Sequence, residues 1–294
     1  MNPGRFLHDY SLEITGSDVV RLSEARGDMP AGTAVSITYL PGNDVDALAV
    51  VAAHVRQLGL TPVPHISARR LRSQGELLRF LGRLRDEAAV DRVFVVAGDP
   101  PKPLGPYRDA LAVIESGVLA EYGIRHVGIA GYPEGHPQIE TTILDVAMRA
   151  KLAAISAAGQ SAEIVSQFAF DGETVLDWLA RLRAFGVDAP VRIGLPGPAS
   201  VQSLLRFAAR CGVGASAKVM SKYGVSLGRL MNTATPDALA ATLARGVDPA
   251  LHGSVKAHLY PFGGIAKATA WAAALADFGE DARRDDARPQ SSAK

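Results

Sequence analysis

Short strand-like runs alternate with helical segments along almost the whole chain, and this alternation restricts the fold more than any other feature. The run at 93–97 illustrates the pattern, because it is apolar on both faces and stops at Gly98-Asp99, followed by two prolines. Such runs are typical of parallel strands covered by helices. Eight of them occur with no linker between them. The pattern predicts an α/β fold, a single-domain (β/α)8 TIM barrel over residues 1–279, with a doubly wound open sheet as the alternative.

The hydrophobic periodicity gives approximate bounds for each element. Strands are predicted at 11–15, 34–39, 61–66, 93–97, 126–130, 162–169, 191–195 and 254–260. Helices are predicted at 44–58, 73–85, 107–122, 139–158, 172–185, 201–211, 236–245 and 264–278. The segment 212–231 fits two short helices. Residues 280–294 are charged and lack large apolar side chains, so we expect a disordered tail there.

Composition excludes several classes of partner. A chain of 294 residues that is 48% hydrophobic can bury a large core, and its net charge of +1 provides no strong field for nucleic acid or a membrane surface. The single cysteine, Cys211, excludes an internal disulfide, and no Cys/His cluster has zinc-ligand spacing. We find neither a signal peptide nor a membrane span. The chain is therefore expected to be cytoplasmic, without metal, nucleic-acid or membrane partners, and to form a homo-oligomer of unspecified size.

Side chains with chemical function cluster at the ends of the predicted strands. In a (β/α)8 barrel, the carboxyl ends of all strands meet at one mouth, where active sites lie. We therefore expect a ligand site there. Its expected members are Glu13, Thr38, His65, Asp99, Tyr132, His136 and Gln167.

Two carboxylates stand out among these residues. Glu13 lies between Leu12 and Ile14, so we expect it to be desolvated, with a raised pKa that suits a general acid near neutral pH. The alternative is a structural ion pair with an arginine or lysine of the barrel. Asp99 is suited to orienting a cationic or electron-poor ring. The alternative for Asp99 is a cap on the turn that follows it.

The remaining polar residues also have two interpretations. Gln167 interrupts an apolar run, and a buried amide needs partners that the edge of a heterocycle would supply. His65 and His136 could instead be hydrogen-bonded supports for neighbouring side chains. Phe207 follows Leu204 and Leu205 on a predicted helix, so core packing is its simplest interpretation.

Six motifs occur in order along the chain. They are S-L-E in the first strand, S-I-T-Y in the second, P-H-I in the third, G-D-P-P after the fourth, G-Y-P-E-G-H-P after the fifth and S-Q-F-A-F-D at the sixth. Together they resemble the methylenetetrahydrofolate reductases, a family of (β/α)8 enzymes of one-carbon metabolism. The resemblance extends from Ser11 to about Gly264. It implies reduction of 5,10-methylenetetrahydrofolate to 5-methyltetrahydrofolate by NAD(P)H, with FAD as the hydride carrier, in methionine biosynthesis.

The resemblance also implies roles for individual residues. Glu13 would be the general acid that protonates N10 and opens the methylene bridge, and Asp99 would lie near the pterin and the flavin. The folate would contact Gln167, Phe207 and Tyr260, with Phe207 also able to pack against the nicotinamide cofactor. The positions that match flavin contacts are Thr38, His65, Gly98, Asp99, Tyr132, His136, Asp145 and Lys151.

One departure from the family pattern bears on the cofactor. Ala97 stands where the family usually carries an arginine that is associated with the flavin phosphates. Two alternatives to the flavin enzyme follow. The first is direct hydride transfer from NADH to methylenetetrahydrofolate without flavin. The second is a non-catalytic subunit that keeps the folate-binding barrel.

Overall fold

Eight parallel strands close into a barrel in the computed structural model, which describes residues 6–211 and 233–286. Each strand pairs with the next along the chain, and the last pairs with the first. This closure confirms the predicted (β/α)8 class and excludes an open sheet. The strands are β1 (Ser11–Ile14), β2 (Ala34–Ile37), β3 (Thr61–Ser67), β4 (Arg92–Val96), β5 (His126–Gly131), β6 (Ser161–Phe168), β7 (Val191–Pro196) and β8 (Val255–Tyr260).

Helices surround the barrel, and the short ones at 19–24 and 249–252 were not predicted. They are α1 (Val19–Glu24), α2 (Val45–Gln57), α3 (Gln74–Ala88), α4 (Ala110–Glu115), α5 (Val118–Glu121), α6 (Thr141–Ala157), α7 (Gly172–Ala184), α8 (Val201–Cys211), α9 (Asp237–Gly246), α10 (Pro249–His252) and α11 (Ile265–Asp286). Short 3-10 turns lie at Gly16–Asp18, Arg26–Asp28 and Ala68–Arg70. A two-stranded antiparallel ribbon joins Ala199–Ser200 to Thr233–Ala234.

Three of the predicted bounds need comment. The single helix predicted at 107–122 is wrong, because Gly117 has a φ of +77° and separates α4 from α5. The last helix runs to Asp286, so it extends into the segment 280–294 that was predicted to be a tail. The two short helices predicted at 212–231 and the final residues 287–294 lie outside the described residues.

The main apolar core lies between the strands and the helices. Strand residues such as Ile37 and Val93 point outward and pack, fully buried, with helix residues such as Leu48 and Leu81. Among the described residues, no helix is long and apolar enough to cross a membrane. The core therefore supports a rigid barrel whose strand ends carry the polar side chains.

The interior of the barrel contains small and polar side chains toward its amino-terminal end. They leave a cavity of about 200 Å³, which we call the N-terminal cavity. Exposed Ser161 and Pro190 lie on its lining, so it reaches the surface. Within the lining, Nε of Arg192 donates to Oε1 of Glu163 over 2.9 Å. Other lining residues include Ser11, Ala34, Ser36, Phe94, His126 and Gly128.

Candidate active site

Glu13 lies between two histidines inside the barrel. Its Oε2 atom is 3.8 Å from Nε2 of His65 on β3 and 3.7 Å from Nε2 of His258 on β8. Both Nε2 atoms are buried, and neither forms a hydrogen bond within the described part of the chain. On the far side of His258, Nδ1 is 2.7 Å from Oγ of Ser11. We call these four residues the Glu13 cluster.

The predicted pKa of Glu13 was wrong in direction for the free site. Burial alone would raise the pKa of this carboxyl, but the polar interaction with His258 and the electrostatic attraction of the two imidazoles outweigh burial and lower it. Before a ligand binds, Glu13 is therefore a carboxylate. The alternative ion pair with a barrel arginine or lysine is also not found among the described contacts, since both neighbours are imidazoles.

His65 is held as a neutral imidazole. Burial lowers its pKa to about 4, and the nearby Glu13 only partly offsets this effect. The ring of Phe94 packs against it, with 4.8 Å between the ring centroids. Because His65 is only 6% exposed and its Nε2 has no hydrogen bond, it is a polar group that a ligand at the mouth could satisfy.

Asp99 lies in the loop after β4 and projects into solvent. Its side chain is 83% exposed, and Oδ2 lies 3.1 Å from Nη2 of Arg70, which is itself only 14% exposed. The loop turns at Gly98, whose φ is +88°, and a Cβ atom there would lie 2.0 Å from Oγ of Ser67. The glycine is thus required both by its backbone conformation and by the close approach of β3.

Gln167 lies near the end of β6, and Tyr260 is the last residue of β8. The Oε1 atom of Gln167 accepts a hydrogen bond from the backbone N–H of Phe168 over 3.0 Å, so this oxygen already has a partner. The prediction that the whole Gln167 amide needs a heterocycle as its partner is therefore wrong for Oε1. The Tyr260 hydroxyl donates to the carbonyl of Ser166 over 3.0 Å, which ties β8 to the strand that carries Gln167.

An aromatic cluster lies beside this pair. Phe207 on α8 stacks on Phe262, with ring centroids 4.2 Å apart and an interplanar angle of 15°. Phe262 also contacts Phe168 at 4.8 Å and Tyr260 at 5.8 Å. Phe207 is only partly buried and packs at the edge of a small separate cluster rather than in the main core. The core interpretation of Phe207 is therefore only partly correct.

The loop after β5 contains the ring pair Tyr132 and His136, with Glu134 between them. Tyr132 and His136 pack edge to face, with centroids 5.1 Å apart, and burial raises the pKa of Tyr132 and lowers that of His136. Between them, Oε1 of Glu134 accepts the backbone N–H groups of Phe170 and Asp171 over 2.9 and 3.1 Å. Glu134 therefore fixes the loop that leads into α7.

Asp145 and Lys151 lie on α6, the helix that follows this loop, and both are partly buried. Burial lowers the pKa of Lys151, and Asp109 partly opposes that change. Burial thus disfavours the charged form of Lys151, whereas Asp109 favours it.

Electrostatic coupling links the separate strand ends to one mouth. Burial and the charges of Glu13 and Asp99 raise the pKa of Cys211 at the end of α8. Burial and the charges of Glu13, Cys211 and Tyr132 likewise raise the pKa of Tyr260 well above its usual value. Glu13 on β1 therefore influences the ionisation of groups on β8 and α8.

Several site residues escaped the sequence analysis. The most important of them is His258, which lies beside Glu13. Lys256, His258 and Tyr260 alternate along the strand, and alternate residues of a strand share one face, so this pattern could have revealed His258. Since β8 pairs with β1, that face carries His258 toward Glu13. Arg70 and Phe262 lie in loops and carry no comparable periodic signal.

Sequence comparison decides the family. The sequence model described as methylenetetrahydrofolate reductase matches residues 15–226. The chain belongs to the methylenetetrahydrofolate reductase family. The 5,10-methylenetetrahydrofolate reductase of Pectobacterium carotovorum is 26% identical over 199 residues, which cover 67% of this chain and 62% of that protein. Methylenetetrahydrofolate reductase 2 of Saccharomyces cerevisiae is 26% identical over 122 residues, which cover 39% of this chain.

The chain spans 20% of the yeast reductase and 62% of the Pectobacterium reductase. Solved structures agree on the fold of this family member. A Clostridium thermocellum protein described as binding two copies of 5-methyl-5,6,7,8-tetrahydrofolic acid superposes with a TM-score of 0.60 at 13% identity, over 96% of this chain and all of that chain. Dihydropteroate synthase from Thermus thermophilus gives a TM-score of 0.50 at 13% identity, over 92% of this chain and 95% of that chain.

Proposed function

We propose that this protein reduces 5,10-methylenetetrahydrofolate to 5-methyltetrahydrofolate with NAD(P)H. The observation that carries the proposal is the position of Glu13, a carboxylate between two imidazoles at the mouth of a barrel that belongs to this family. Methylenetetrahydrofolate accepts hydride poorly until its five-membered ring opens. An acid that protonates N10 and releases an iminium at N5 meets that requirement.

Glu13 is the proposed acid, and substrate binding has to bring it into its protonated form. In the free site the side chain is 22% exposed, and burial is already the largest single influence on its pKa. A pterin that covers this exposed part removes the remaining water, which favours the neutral carboxylic acid. The Glu13 Oε2–H bond then breaks as the N10–H bond forms, and His258 and His65 lie beside the carboxylate that remains.

The other mouth residues are proposed to orient the folate. Gln167 can offer its amide N–H₂ group to the pterin, while Asp99 can use the oxygen that does not face Arg70. Phe207 and Tyr260 present aromatic surface beside them, which suits the flat p-aminobenzoyl part of the substrate or a nicotinamide ring.

The residues near β2, β3 and β4 fit the ring end of a flavin. The hydroxyl groups of Thr38 and Ser67 and Nε2 of His65 are buried and form no hydrogen bond with any residue that the structure describes, and Gly98 lets the backbone approach closely. When bound there, FAD would carry hydride between NAD(P)H and the folate. Tyr132, His136, Asp145 and Lys151 would hold the rest of the cofactor, with Lys151 as a cation for its phosphates.

A second candidate is direct hydride transfer from NADH without flavin. It is favoured by Ala97, which offers no charge where the family usually carries an arginine associated with the flavin phosphates, and by Arg70, which is already paired with Asp99. A missing charge-assisted contact weakens binding by about 1.5–3 kcal/mol. The Glu13 chemistry is the same in both candidates, because protonation of N10 does not depend on which group delivers the hydride.

The purified protein should first be examined by absorption for bound flavin and then assayed without oxygen for NAD(P)H oxidation with methylenetetrahydrofolate. Turnover to 5-methyltetrahydrofolate supports the proposal, and a colourless protein that still turns over supports the flavin-independent candidate. Folate binding without turnover, whether or not flavin is bound, would instead indicate a non-catalytic folate-binding subunit.

We further propose that the protein works in the cytoplasm, in methionine biosynthesis, as a homo-oligomer with folate as its small-molecule partner.

A further inference from the structure

The Ser11–His258 contact lies behind the catalytic carboxylate and has no role in the scheme above. His258 is 1% exposed, and its two ring nitrogens face different partners: Nδ1 lies 2.7 Å from Oγ of Ser11, and Nε2 lies 3.7 Å from Oε2 of Glu13. A neutral imidazole carries one N–H, so the Ser11 contact decides which nitrogen holds it.

The two possible tautomers differ in what they present to Glu13. If Ser11 accepts from Nδ1–H, then Nε2 turns a lone pair toward a carboxylate, which is repulsive and leaves a buried acceptor without a donor. If Ser11 donates to Nδ1, then Nε2–H points at the carboxylate. The latter arrangement pairs complementary groups on both sides of the ring.

We propose that Ser11 and His258 are positioning residues that direct an Nε2–H bond at the Glu13 carboxylate. This inference rests on the proposed function, in which Glu13 must give up its proton and remain as an anion. An aligned N–H group stabilises that anion and makes Glu13 a stronger acid. Ser11 acts only through His258, and His258 acts only through Glu13.

The surroundings of the ring leave few competing influences. Within residues 6–211 and 233–286, the titratable groups that approach the ring from other strands are Glu13 on β1 and His65 on β3, and Tyr260 on β8 packs edge to face at 4.8 Å. On β7, Arg192 is directed to Glu163 and to the backbone of Asp9. The tautomer of the His258 ring therefore depends mainly on the Ser11 contact and on the charge of Glu13.

The first test measures the tautomer directly. Protein with ¹⁵N-labelled histidine is examined by NMR, and the His258→Gln variant identifies the signals of His258 by their loss. We expect Nε2 to carry the proton in the wild type and Ser11→Ala to produce a mixture of tautomers. A wild-type ring protonated at Nδ1 would overturn the inference. This readout needs no turnover, so it stands apart from the proposed reductase activity.

The second test uses kinetics. In Ser11→Ala we expect kcat to fall about tenfold on the plateau below the alkaline limb, where Glu13 is fully protonated in the complex, because Glu13 becomes a weaker acid. For the same reason the alkaline limb of the kcat–pH profile should move to higher pH, while KM for the folate stays unchanged. Ser11→Thr keeps the hydroxyl, and its extra methyl has room in the N-terminal cavity that Ser11 lines, so it should restore both values. If the alkaline limb does not move in Ser11→Ala, the inference is wrong and Ser11 has only a packing role.

A double-mutant cycle completes the design. A glutamine at position 258 keeps an N–H donor near the Nε2 position but has no tautomers to choose between. Adding Ser11→Ala to His258→Gln should therefore cost much less than Ser11→Ala alone. Additive losses would contradict the inference, because Ser11 would then act independently of His258.

Discussion

Asp99 is joined to Arg70 by a 3.1 Å contact between Oδ2 and Nη2, which links the loop after β4 to the turn after β3. The arginine is largely covered, whereas the aspartate is largely exposed. The pair thus holds one carboxylate oxygen at the rim of the mouth and leaves the other free to meet a ligand. Two kinds of experiment can separate its contribution to stability from its contribution to binding.

Asp99→Asn should impair the reaction without unfolding the protein. An exposed ion pair contributes only about 0–1 kcal/mol to stability, so we expect little change in the thermal midpoint. We propose that Asp99 stabilises the developing iminium, so loss of its negative charge should lower kcat/KM for the folate by at least about tenfold. The matched control is Asp91→Asn at the opposite end of β4, where the aspartate pairs with Arg92 at 3.6 Å. Equal losses in both variants would argue against a role for Asp99 at the mouth.

Glu13→Gln should retain the fold and folate binding but lose nearly all turnover. The amide has almost the same size as the carboxyl group and cannot supply a proton to N10. Binding of 5-methyltetrahydrofolate, measured by calorimetry, should stay within a few-fold of wild type while the steady-state rate disappears. Turnover near the wild-type rate in this variant would refute the assigned role.

Stability should fall between pH 6.5 and pH 4 because His65 is buried in its neutral form. Its pKa is about 4 in the folded chain and 6.5 when unfolded, so the unfolded state binds the extra proton first as the pH drops. The full difference amounts to about 3 kcal/mol. The lowered pKa of Glu13 adds a loss in the same direction, but only below its ordinary value of 4.5.

Urea unfolding at several pH values measures this effect. His65→Gln should flatten the dependence between pH 4.5 and 6.5, whereas His8→Gln, a change at an exposed histidine, should leave it as it is. An unchanged slope in His65→Gln would mean that His65 is not the group that titrates.

Glu134→Ala should loosen the segment between β6 and α7. It removes the acceptor of two backbone N–H groups and should lower the free energy of unfolding by about 2 kcal/mol. Glu134→Gln keeps an oxygen at the same place and should cost less. Trp178, which is buried on α7, provides a fluorescence signal for the transition, and Glu121→Ala serves as the control at an exposed glutamate. Equal midpoints for Glu134→Ala and Glu121→Ala would contradict the structural role of Glu134.

Local patterns were sufficient to predict the architecture. Strand β4, for example, is an apolar run from Val93 to Val96 that stops before Gly98-Asp99, and both features are visible without any tertiary information. The same patterns placed Glu13 and His65 at strand ends, because barrel geometry brings those ends together. The break at Gly117 was missed because the surrounding residues are all compatible with a helix, and only the φ of the glycine separates α4 from α5.

Properties that depend on contacts between distant segments could not be predicted in the same way. The pKa of Glu13 depends on imidazoles from β3 and β8, and its apolar neighbours Leu12 and Ile14 point to the opposite face of the strand. The pairing of Asp99 with Arg70 depends on the relative height of two loops. Neither relationship leaves a periodic trace in the sequence.

Closure of the barrel leaves its eight strands without an unpaired edge to which the backbone of a neighbouring molecule could add. Copies of this protein that associate cannot extend this sheet and must meet through side chains on the outer layer. Ile143 and Val146, which are largely exposed on α6, are residues of the type that such a contact would cover. Such a contact would bring a neighbouring molecule close to Asp145 and Lys151 on the same helix, the residues proposed to hold the cofactor.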